Sequence, residues 1–530
     1  MQKNLISIKR QLTSRLTSVA KRKRAIPYLF VACFFLLGLV GILNHAMWRD
    51  ELNVWLIVRH SPSLIELFRN IKYEGHPGLW YLCLYGISHF TDNPIAMQIF
   101  HLLLATGFTY LFMRFSPFTY LQKILFSLGY LPVYEYLLIS RNYAIEILFL
   151  FGFCALFPDR QKGYLRLSLL LFLLANTNAY GLLIALSLGI TLILEYSLNR
   201  RKLTIPISNL CLSLGLFSLG IFTSLVQLIP PTDSTLAGGA EGWTLRFDFL
   251  HFLTALTRIW SSYIVILVPR DASQIEMALF SILSLGLLTF SGLLLIRKPI
   301  ALFFYLLSTL IIFLLTYAKF LGAARHYGHL YIVLIVAFWL ASYYPESTQL
   351  TQLINQLPRS INSIVLGWVR VADRHKRAFF MIILCAQFAG GIVAFGRDLS
   401  VPFSASKATA AFIRTSHLEK LFMIGSRDYA VSPLCGYLNR EIYYPERRGL
   451  GSFVLFNSQR QEVDIASVLA QTSQIVQQQP GNVLLILNTE LEAPKQNLQI
   501  SALAKFTNSF IGEERYYLYL VSKPDPIAPL

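Results

Sequence analysis

Two carboxylates and an arginine stand side by side at Arg49, Asp50 and Glu51, directly after a long apolar run. That run, 25–43, is long enough at ~1.5 Å per residue to cross the hydrocarbon of a bilayer. Asp50 and Glu51 are therefore expected at a membrane face, where a carboxylate can accept a proton from an attacking group. Polar residues return at 74–78 before the next apolar stretch, so residues 45–93 are predicted to form an outer loop. This spacing favours a site held at the bilayer surface.

The composition is typical of a multi-pass membrane protein. Of 530 residues, 55% are hydrophobic and 14% are charged, and the apolar residues fall in runs of membrane-spanning length. The net charge is +18, but the Lys and Arg lie mainly in short loops, where the positive-inside rule places them. Membrane lipids are therefore the expected neighbours, and nucleic acid is not an expected partner. Six singly scattered cysteines indicate neither a metal site nor a disulfide framework.

The loop charges set the predicted topology. Residues 1–24 are basic, and the first apolar run lacks a cleavage pattern, which predicts a cytoplasmic N-terminus and a retained first span. If the short piece 79–90 stays at the outer surface, the later basic loops all fall inside, at 114–123, 159–166, 199–202, 297–298 and 370–377. Residues 51–70 suit a helix lying in the interface. About eleven spans follow, near 25–43, 94–113, 122–139, 142–157, 164–176, 179–197, 207–229, 275–296, 300–318, 327–344 and 379–396.

The same topology brings further polar residues to the face of Asp50. They occur in 140–143, 176–180, the loop 230–248 and the basic stretch 319–329. Charged groups near hydrocarbon cost roughly a few kcal/mol each, so a cluster at one depth needs a reason. Helix-end snorkelling is the ordinary reason. Basic flanks should be cytoplasmic, however, so an outer placement of 319–329 favours a functional role.

The composition changes after residue 396. Residues 397–530 contain no run long enough to span and alternate between helical and strand-like segments, which predicts a small α/β domain. An odd number of spans from a cytoplasmic start places it outside, over the face of Asp50. The predicted domains are a cytoplasmic N-terminus at 1–24, a transmembrane domain at 25–396 with its first outer loop at 45–93, and an extracytoplasmic α/β domain at 397–530.

The order of these elements resembles the GT-C superfamily of integral-membrane glycosyltransferases. The features are an outer loop beginning Arg-Asp-Glu after the first span, a His-Pro turn at 76–77, an Arg-x-Tyr element at 141–143 and later outer-face Arg and His residues. The resemblance covers roughly residues 25–396 and is to the protein O-mannosyltransferase and aminoarabinose transferase branches. It implies a GT-C-like helical fold in the plasma (inner) membrane, a polyprenyl-phosphate-linked sugar donor, and an acceptor that is a glycan, lipid or protein.

The resemblance also implies roles for single residues. Asp50 matches the first-loop acid that acts as base on the acceptor, and Glu51 is its neighbour. His76 falls close to the lipid phosphate, and 141–143 matches the second outer-loop element. The acid that many relatives carry nearby is missing unless Glu146 fills it, which leaves a divalent metal as an open question.

The chemistry of sugar transfer supports the same residues. The reaction needs a base on the attacking hydroxyl and positive charge on the departing phosphate. Guanidinium forks match phosphate oxygens, and aromatic rings can stack on sugar. Asp50 and Glu51 are therefore the candidate catalytic residues. The candidate residues for binding the donor phosphate or its sugar are Arg49, His76, Arg141, Tyr143, Glu146, Asn178, Tyr180, Arg325, His326 and His329.

Two other classes of protein share the many spans and the outer charges. A lipid or glycolipid transporter or flippase usually shows paired repeats and charges near the midplane, whereas no repeat is evident here and the polar clusters lie at helix ends. A non-catalytic cell-envelope assembly subunit would use its outer domain to bind a partner. Replacing Asp50 separates an enzyme from a scaffold, because only the enzyme should lose sugar transfer.

Overall fold

The computed structural model of the protein describes residues 25–200, 205–236, 242–265, 272–356, 358–492 and 498–523. The predicted cytoplasmic segment 1–24 lies outside these residues. Within them, the chain forms a helical region followed by one mixed β-sheet.

Eight described helices are long and apolar enough to cross a membrane, which makes the chain an integral membrane protein and confirms the predicted polytopic helical fold. Many apolar side chains of these helices are exposed on the outside of the helical region, where they can contact lipid. They are Ala25–Asn44 (α1), Ile95–Phe115 (α5), Ala179–Asn199 (α9), Ile207–Leu228 (α10), Gln274–Leu295 (α12), Pro299–Ala318 (α13), Ala324–Ala341 (α14, Ala324–Tyr327, with α15, His329–Ala341) and Arg359–Ser400 (α17).

Shorter helices fill the remaining helical region. They lie at Arg49–Arg59 (α2), Leu64–Ile71 (α3), Leu79–Ser88 (α4), Tyr120–Ser127 (α6), Tyr143–Leu156 (α7), Leu165–Ala175 (α8), Phe249–Ile264 (α11) and Gln349–Asn355 (α16). The short α4 agrees with the expectation that 79–90 does not span. Helix α11 was not predicted.

Three of the eleven predicted spans are not among the eight long helices. The segment 122–139 contains α6 and then a π-helical turn, Tyr130–Glu135, in which Pro132 supplies no backbone N–H for a continuous α-helix. The other two are α7, of 14 residues, and α8, of 11 residues. Helix α8 ends at Ala175, and α9 begins at Ala179, directly after Asn178, whose side chain accepts a hydrogen bond from the Gly181 N–H. Hydropathy predicted the apolar character of these three segments correctly, but it did not predict where their helices end.

The predicted interfacial helix at 51–70 is instead two helices, and α2 is buried from Glu51 to Val58. The sheet domain covers it. Asn53 accepts a hydrogen bond from the Val454 N–H at 2.8 Å and donates one to the Val454 carbonyl at 3.1 Å. A Cβ on Gly436 would lie 2.9 Å from the Leu52 side chain, so a larger residue there would require the Leu52 side chain to move. These contacts exclude α2 from the interface with lipid.

The last long helix, α17, runs from Arg359 to Ser400 without a break. The sequence predicted a span only at 379–396 and a basic loop at 370–377, but that loop is helical. Helix α17 leads directly into α18 (Ser406–Thr415), the first helix of the sheet domain.

The C-terminal domain is the predicted α/β domain. Its remaining helices are α19 (Asp428–Val431), α20 (Pro433–Leu438) and α21 (Ile465–Gln478), and its strands are β1 (Phe422–Ser426), β2 (Ile442–Tyr444), β3 (Gly449–Gly451), β4 (Val483–Leu487), β5 (Gln499–Phe506) and β6 (Tyr516–Ser522). The strand order is β3-β2-β1-β4-β6-β5, with β1 parallel to β2 and β4 and the other pairs antiparallel. The buried Val-Leu-Leu-Ile-Leu of β4 forms its centre.

Candidate functional site

A cavity of about 530 Å³ lies where the helical region meets the sheet domain. Its polar wall comes from the start of α2, the turn before α4, the segment before α7 and the start of α14. Leu236, Leu315 and Phe320 form an apolar side, and Tyr429, Phe456 and Glu513 come from the sheet domain. Seven of the predicted site residues line it: Arg49, Asp50, His76, Arg141, Tyr180, Arg325 and His326.

Asp50 is held on the wall of this cavity by two arginines. Its Oδ2 lies 2.6 Å from Arg141 Nη1 and accepts a hydrogen bond from Arg325 Nη2 at 3.1 Å. Arg49 is further away, with 3.9 Å between its Nε and Asp50 Oδ1. Three guanidinium groups thus surround one carboxylate, which leaves an excess of positive charge facing the cavity.

The arginines decide the protonation state of Asp50. Burial would raise the pKa of its carboxyl, but the charges of Arg141, Arg325 and Arg49 outweigh burial and hold the pKa below its ordinary value. Asp50 is therefore a carboxylate at neutral pH. It is also a weak base while both arginines contact it.

Glu74 and His76 extend the site on the side of Arg141. Burial raises the pKa of Glu74 to about 7, although Arg141 opposes the rise, and Glu74 accepts hydrogen bonds from Asn53 and Tyr81. Burial and then the charge of Arg141 lower the pKa of His76 to about 3, so its ring is neutral. His76 Nε2 accepts from Arg141 Nη2 at 3.2 Å, and its buried Nδ1 has no hydrogen-bond partner among the described residues.

Glu51, the second candidate catalytic residue, faces away from the cavity and is fully buried. Its Oε2 lies 3.0 Å from His45 Nε2, and its Oε1 accepts from the Ser140 N–H at 2.7 Å. The other ring nitrogen of His45 lies 3.0 Å from Asp398. Burial lowers the pKa of His45, but Glu51 and Asp398 outweigh burial and raise it to about 10. This carboxylate–imidazolium–carboxylate bridge ties α2 and α17 to the residue before Arg141.

Four further candidates form a second buried cluster beneath the cavity instead of lining it. Glu146 Oε2 accepts from Asn178 Nδ2 at 2.6 Å and lies 2.9 Å from His329 Nε2. His329 Nδ1 lies 2.6 Å from the carbonyl of His326, and the Tyr143 ring packs 5.8 Å from that of His329. The cluster therefore fixes the turn that carries Arg325.

His326 and Tyr180 join this cluster to the cavity. The Tyr180 ring stacks on His329 at 4.5 Å and on His326 at 5.8 Å. His326 Nδ1 accepts from the Ala323 N–H at 2.9 Å, so in the neutral ring Nε2 carries the proton. A hydrogen-bond donor and an aromatic surface thus lie beside Arg325.

The sheet domain contributes residues that sequence reasoning missed. Arg49 forms an ion pair with Glu513, its N–H donates to Glu514 at 3.0 Å, and its guanidinium lies 5.1 Å from the Tyr429 ring centre. Burial raises the pKa of Glu514 to about 8. Because these contacts join segments more than 350 residues apart, no local pattern could have found them.

Among the residues that the structure describes, no group of three or more His, Cys, Asp or Glu side chains has an arrangement that could hold a metal ion. Glu146, the candidate acid of the second loop, contacts His329 and Asn178 instead. The guanidinium groups of Arg141 and Arg325 can hold an anion, and the carboxylate of Asp50 can accept a proton from a hydroxyl.

Two crystal structures of ArnT from Cupriavidus metallidurans are similar to the chain. The one bound to undecaprenyl phosphate has 11% sequence identity and a TM-score of 0.43, and the one in the apo state has 14% and 0.42. Each covers 93% of this chain and 97% of the ArnT chain. No family model and no curated protein matches the chain. Because the sequence identities and TM-scores are this low, the function has to be inferred from the chain's own side chains.

Proposed function

We propose that the chain is a membrane glycosyltransferase that transfers a sugar from a polyprenyl-phosphate-linked donor to a hydroxyl of a glycan, lipid or protein acceptor. One observation carries the proposal. A carboxylate, Asp50, is held between Arg141 and Arg325 on the wall of a cavity that reaches the ends of the membrane-spanning helices. These are the base and the phosphate-binding charges that sugar transfer from a phosphate requires.

Each group has a defined part in the reaction. Asp50 accepts the proton of the acceptor hydroxyl as its oxygen bonds to the anomeric carbon. The bond from that carbon to the phosphate oxygen breaks, its electron pair stays on the phosphate, and Arg141 and Arg325 stabilise the added charge. From the phosphate, the polyprenyl chain extends along the apolar side of the cavity formed by Leu236, Leu315 and Phe320.

Donor binding would also activate the base. In the free protein the N–H groups of Arg141 and Arg325 point at Asp50 and lower its pKa. When the donor phosphate accepts those N–H groups, Asp50 loses two stabilising partners and its pKa rises. The carboxylate thus becomes a stronger base only when the donor is bound.

The decisive experiment measures transfer of labelled sugar by purified protein in liposomes. Undecaprenyl phosphate, present in one of the similar crystal structures, is the first lipid to test as a competitor of the donor. We expect sugar transfer by the wild type and competition by the bare lipid. Movement of the lipid between leaflets with no transfer to any acceptor would instead identify a flippase.

We further propose a plasma-membrane protein with a cytoplasmic N-terminus and with the cavity and the sheet domain on the outer face. Two exposed positions test this arrangement. The His417 side chain in the sheet domain is 78% exposed, and that of Lys162 at the other helix ends is 84% exposed. A cysteine at 417 should react with a membrane-impermeant reagent in intact cells, and one at 162 should not. The reverse labelling would invert the topology.

A further inference from the structure

Helix α17 carries one exposed stripe along its whole length. The helix has 42 residues, so at ~1.5 Å per residue it is roughly 63 Å long, about twice the hydrocarbon thickness of a bilayer. The stripe consists of positions 361, 364, 368, 371, 375, 378, 382, 385, 389, 392, 396 and 399, which are separated alternately by three and four residues. All twelve are exposed, and all except His375 are apolar or glycine.

The spacing of the stripe is that of a coiled-coil seam, in which apolar residues alternate at intervals of three and four. The side of α17 that packs on the other helices has the same seven-residue repeat, with Phe380, Gln387 and Ala394 buried. On a helix these three positions lie opposite the stripe. The stripe therefore faces away from the protein's own core, although its residues are of the types that form cores.

The first part of the stripe lies beyond the membrane-spanning part of α17. A band of charged residues at 370–377 marks the boundary, and in this band Asp373 Oδ2 lies 3.3 Å from Nη1 of Arg297, just after the end of α12. Ile364 and Trp368 precede the band, where lipid tails do not reach. Helix α16 packs against α17, yet Ile364 is 61% and Trp368 is 57% exposed. A contiguous apolar surface in water indicates a protein partner.

The second part of the stripe has the residues that favour helix packing in lipid. Small side chains let two helix backbones approach closely, and this contact replaces the hydrophobic effect, which is weak between helices in a bilayer. Ile382, which is 63% exposed, supplies a larger side chain between them. The small residues are Ala378, Cys385, Ala389 and Gly396.

We propose that a second copy of this chain packs along the stripe, with the two α17 helices parallel and related by a two-fold axis along the membrane normal. Copies of a membrane protein insert in one orientation, so each stripe position meets its own counterpart and small residues meet small ones. No Asp, Glu, Lys or Arg occupies a stripe position. The stripe offers on the order of 800 Å² on each copy, the area that a stable interface needs.

Cys385 tests this contact in native membranes, because it lies on the stripe. Three variants keep the buried Cys154 and Cys435 and one exposed cysteine, which is Cys385, Cys33 in α1 or Cys211 in α10. The remaining cysteines are replaced by alanine. Under mild oxidation we expect a covalent product of twice the chain mass from the Cys385 variant. The two control variants should give none, although their cysteines are exposed on membrane-spanning helices as well.

Three results of this experiment would overturn the proposal. Equal crosslinking in all three variants would mean random collision in the membrane. A product at Cys385 with a mass other than twice that of the chain would identify a different partner. No product at Cys385 would mean that lipid or water covers the stripe.

A second pair of variants places a charge outside the hydrocarbon, where insertion of α17 is not affected. Ile364→Glu puts a carboxylate on the stripe, and Ser363→Glu puts one on the neighbouring exposed position off the stripe. Energy transfer between two fluorescently labelled copies, diluted into liposomes, measures the dissociation constant of the dimer. We expect Ile364→Glu to raise it roughly tenfold or more and Ser363→Glu to leave it unchanged. A wild type that is monomeric at every dilution, or an equal effect of both variants, would refute the dimer.

Discussion

Helices α7, α9 and α15 carry a charged cluster at each of their two ends, and the clusters differ in kind. At the ends where these helices finish, Arg160 Nε contacts both oxygens of Glu195 at 2.9 and 3.1 Å. Tyr344 Oη donates to Glu195 at 2.9 Å, and the Arg160 guanidinium lies 4.3 Å from the Phe157 ring centre. One positive and one negative charge are balanced there, and neither residue lines a cavity described above.

At the ends where the same helices begin, the charges are unbalanced and open. Arg141 and Arg325 share the single carboxylate of Asp50, and all three line the 530 Å³ cavity. A closed, balanced pair holds helices together, whereas an open one with excess positive charge can exchange its internal partner for an anion. The comparison therefore separates a structural ion pair from a binding site on one set of helices.

The largest effect is expected from removing the carboxylate at the open end. Asp50→Asn keeps the shape of the side chain but cannot accept a proton, so transfer should fall roughly 10²- to 10⁴-fold in the liposome assay. The matched change at the closed end, Glu195→Gln, should lower the thermal midpoint and leave transfer per folded molecule unchanged. Full transfer by Asp50→Asn would remove the base from this site.

The next effect concerns the arginines. Arg325→Ala loses a charge-assisted contact of ~1.5–3 kcal/mol, so affinity for polyprenyl phosphate should fall roughly 10- to 150-fold, and Arg325→Lys should retain part of it. Arg160→Ala at the closed end should reduce stability and leave lipid affinity intact. Titration of wild type and each variant with polyprenyl phosphate measures these affinities. Equal affinities in wild type and Arg325→Ala would place the phosphate nearer Arg141.

The sequence predicted Asp50, Arg141 and Arg325 on one face, and the structure brings these three side chains into contact. Asp50, Arg141 and Arg325 each lie at or next to the beginning of a helix, so one topology brings all three to one end. A position at a helix start does not by itself predict which way the side chain points. Glu51 is one residue, or about 100° of helix, beyond Asp50, and this rotation turns it from the cavity towards His45.

Contacts between distant segments were beyond the sequence for a different reason. Glu146, Asn178 and His329 have the residue types of a binding site, and only packing of α7, α9 and α15 shows that they bind one another. Tyr429 and Glu513 reach the cavity because the sheet domain docks on α2, which no local periodicity specifies. No sequence pattern marked His45 as part of a charged bridge, because its two carboxylate partners come from separate helices.

The bridge at His45 is closed, like the pair of Arg160 and Glu195, but it joins one positive to two negative charges and lies directly behind the open cluster. The pKa of His45 is raised to about 10. The contribution of the bridge to stability is therefore complete below about pH 6.5 and is lost as the pH rises through 10. The thermal midpoint of the wild type should therefore fall between pH 6.5 and 10 by more than that of His45→Gln. If His45→Gln does not fold, Asp398→Asn serves, and parallel curves for wild type and variant would refute the charged bridge.

The smallest effect should come from Glu74, whose pKa of about 7 is matched by that of Glu446 in the sheet domain. Above pH 7 Glu74 becomes negative beside Arg141 and competes with the donor phosphate, so affinity for polyprenyl phosphate should fall roughly two- to fivefold between pH 6 and 8. Glu74→Gln should remove this dependence, because the amide does not titrate. Glu446 does not line the 530 Å³ cavity, and its carboxylate accepts a hydrogen bond from Ser426 Oγ at 2.7 Å. Glu446→Gln should therefore retain the wild-type dependence of lipid affinity on pH. A fall that survives in Glu74→Gln would show that a group other than Glu74 causes it, because the second ionisation of the phosphate, at about pH 6, makes the lipid more anionic and raises its affinity for the arginines.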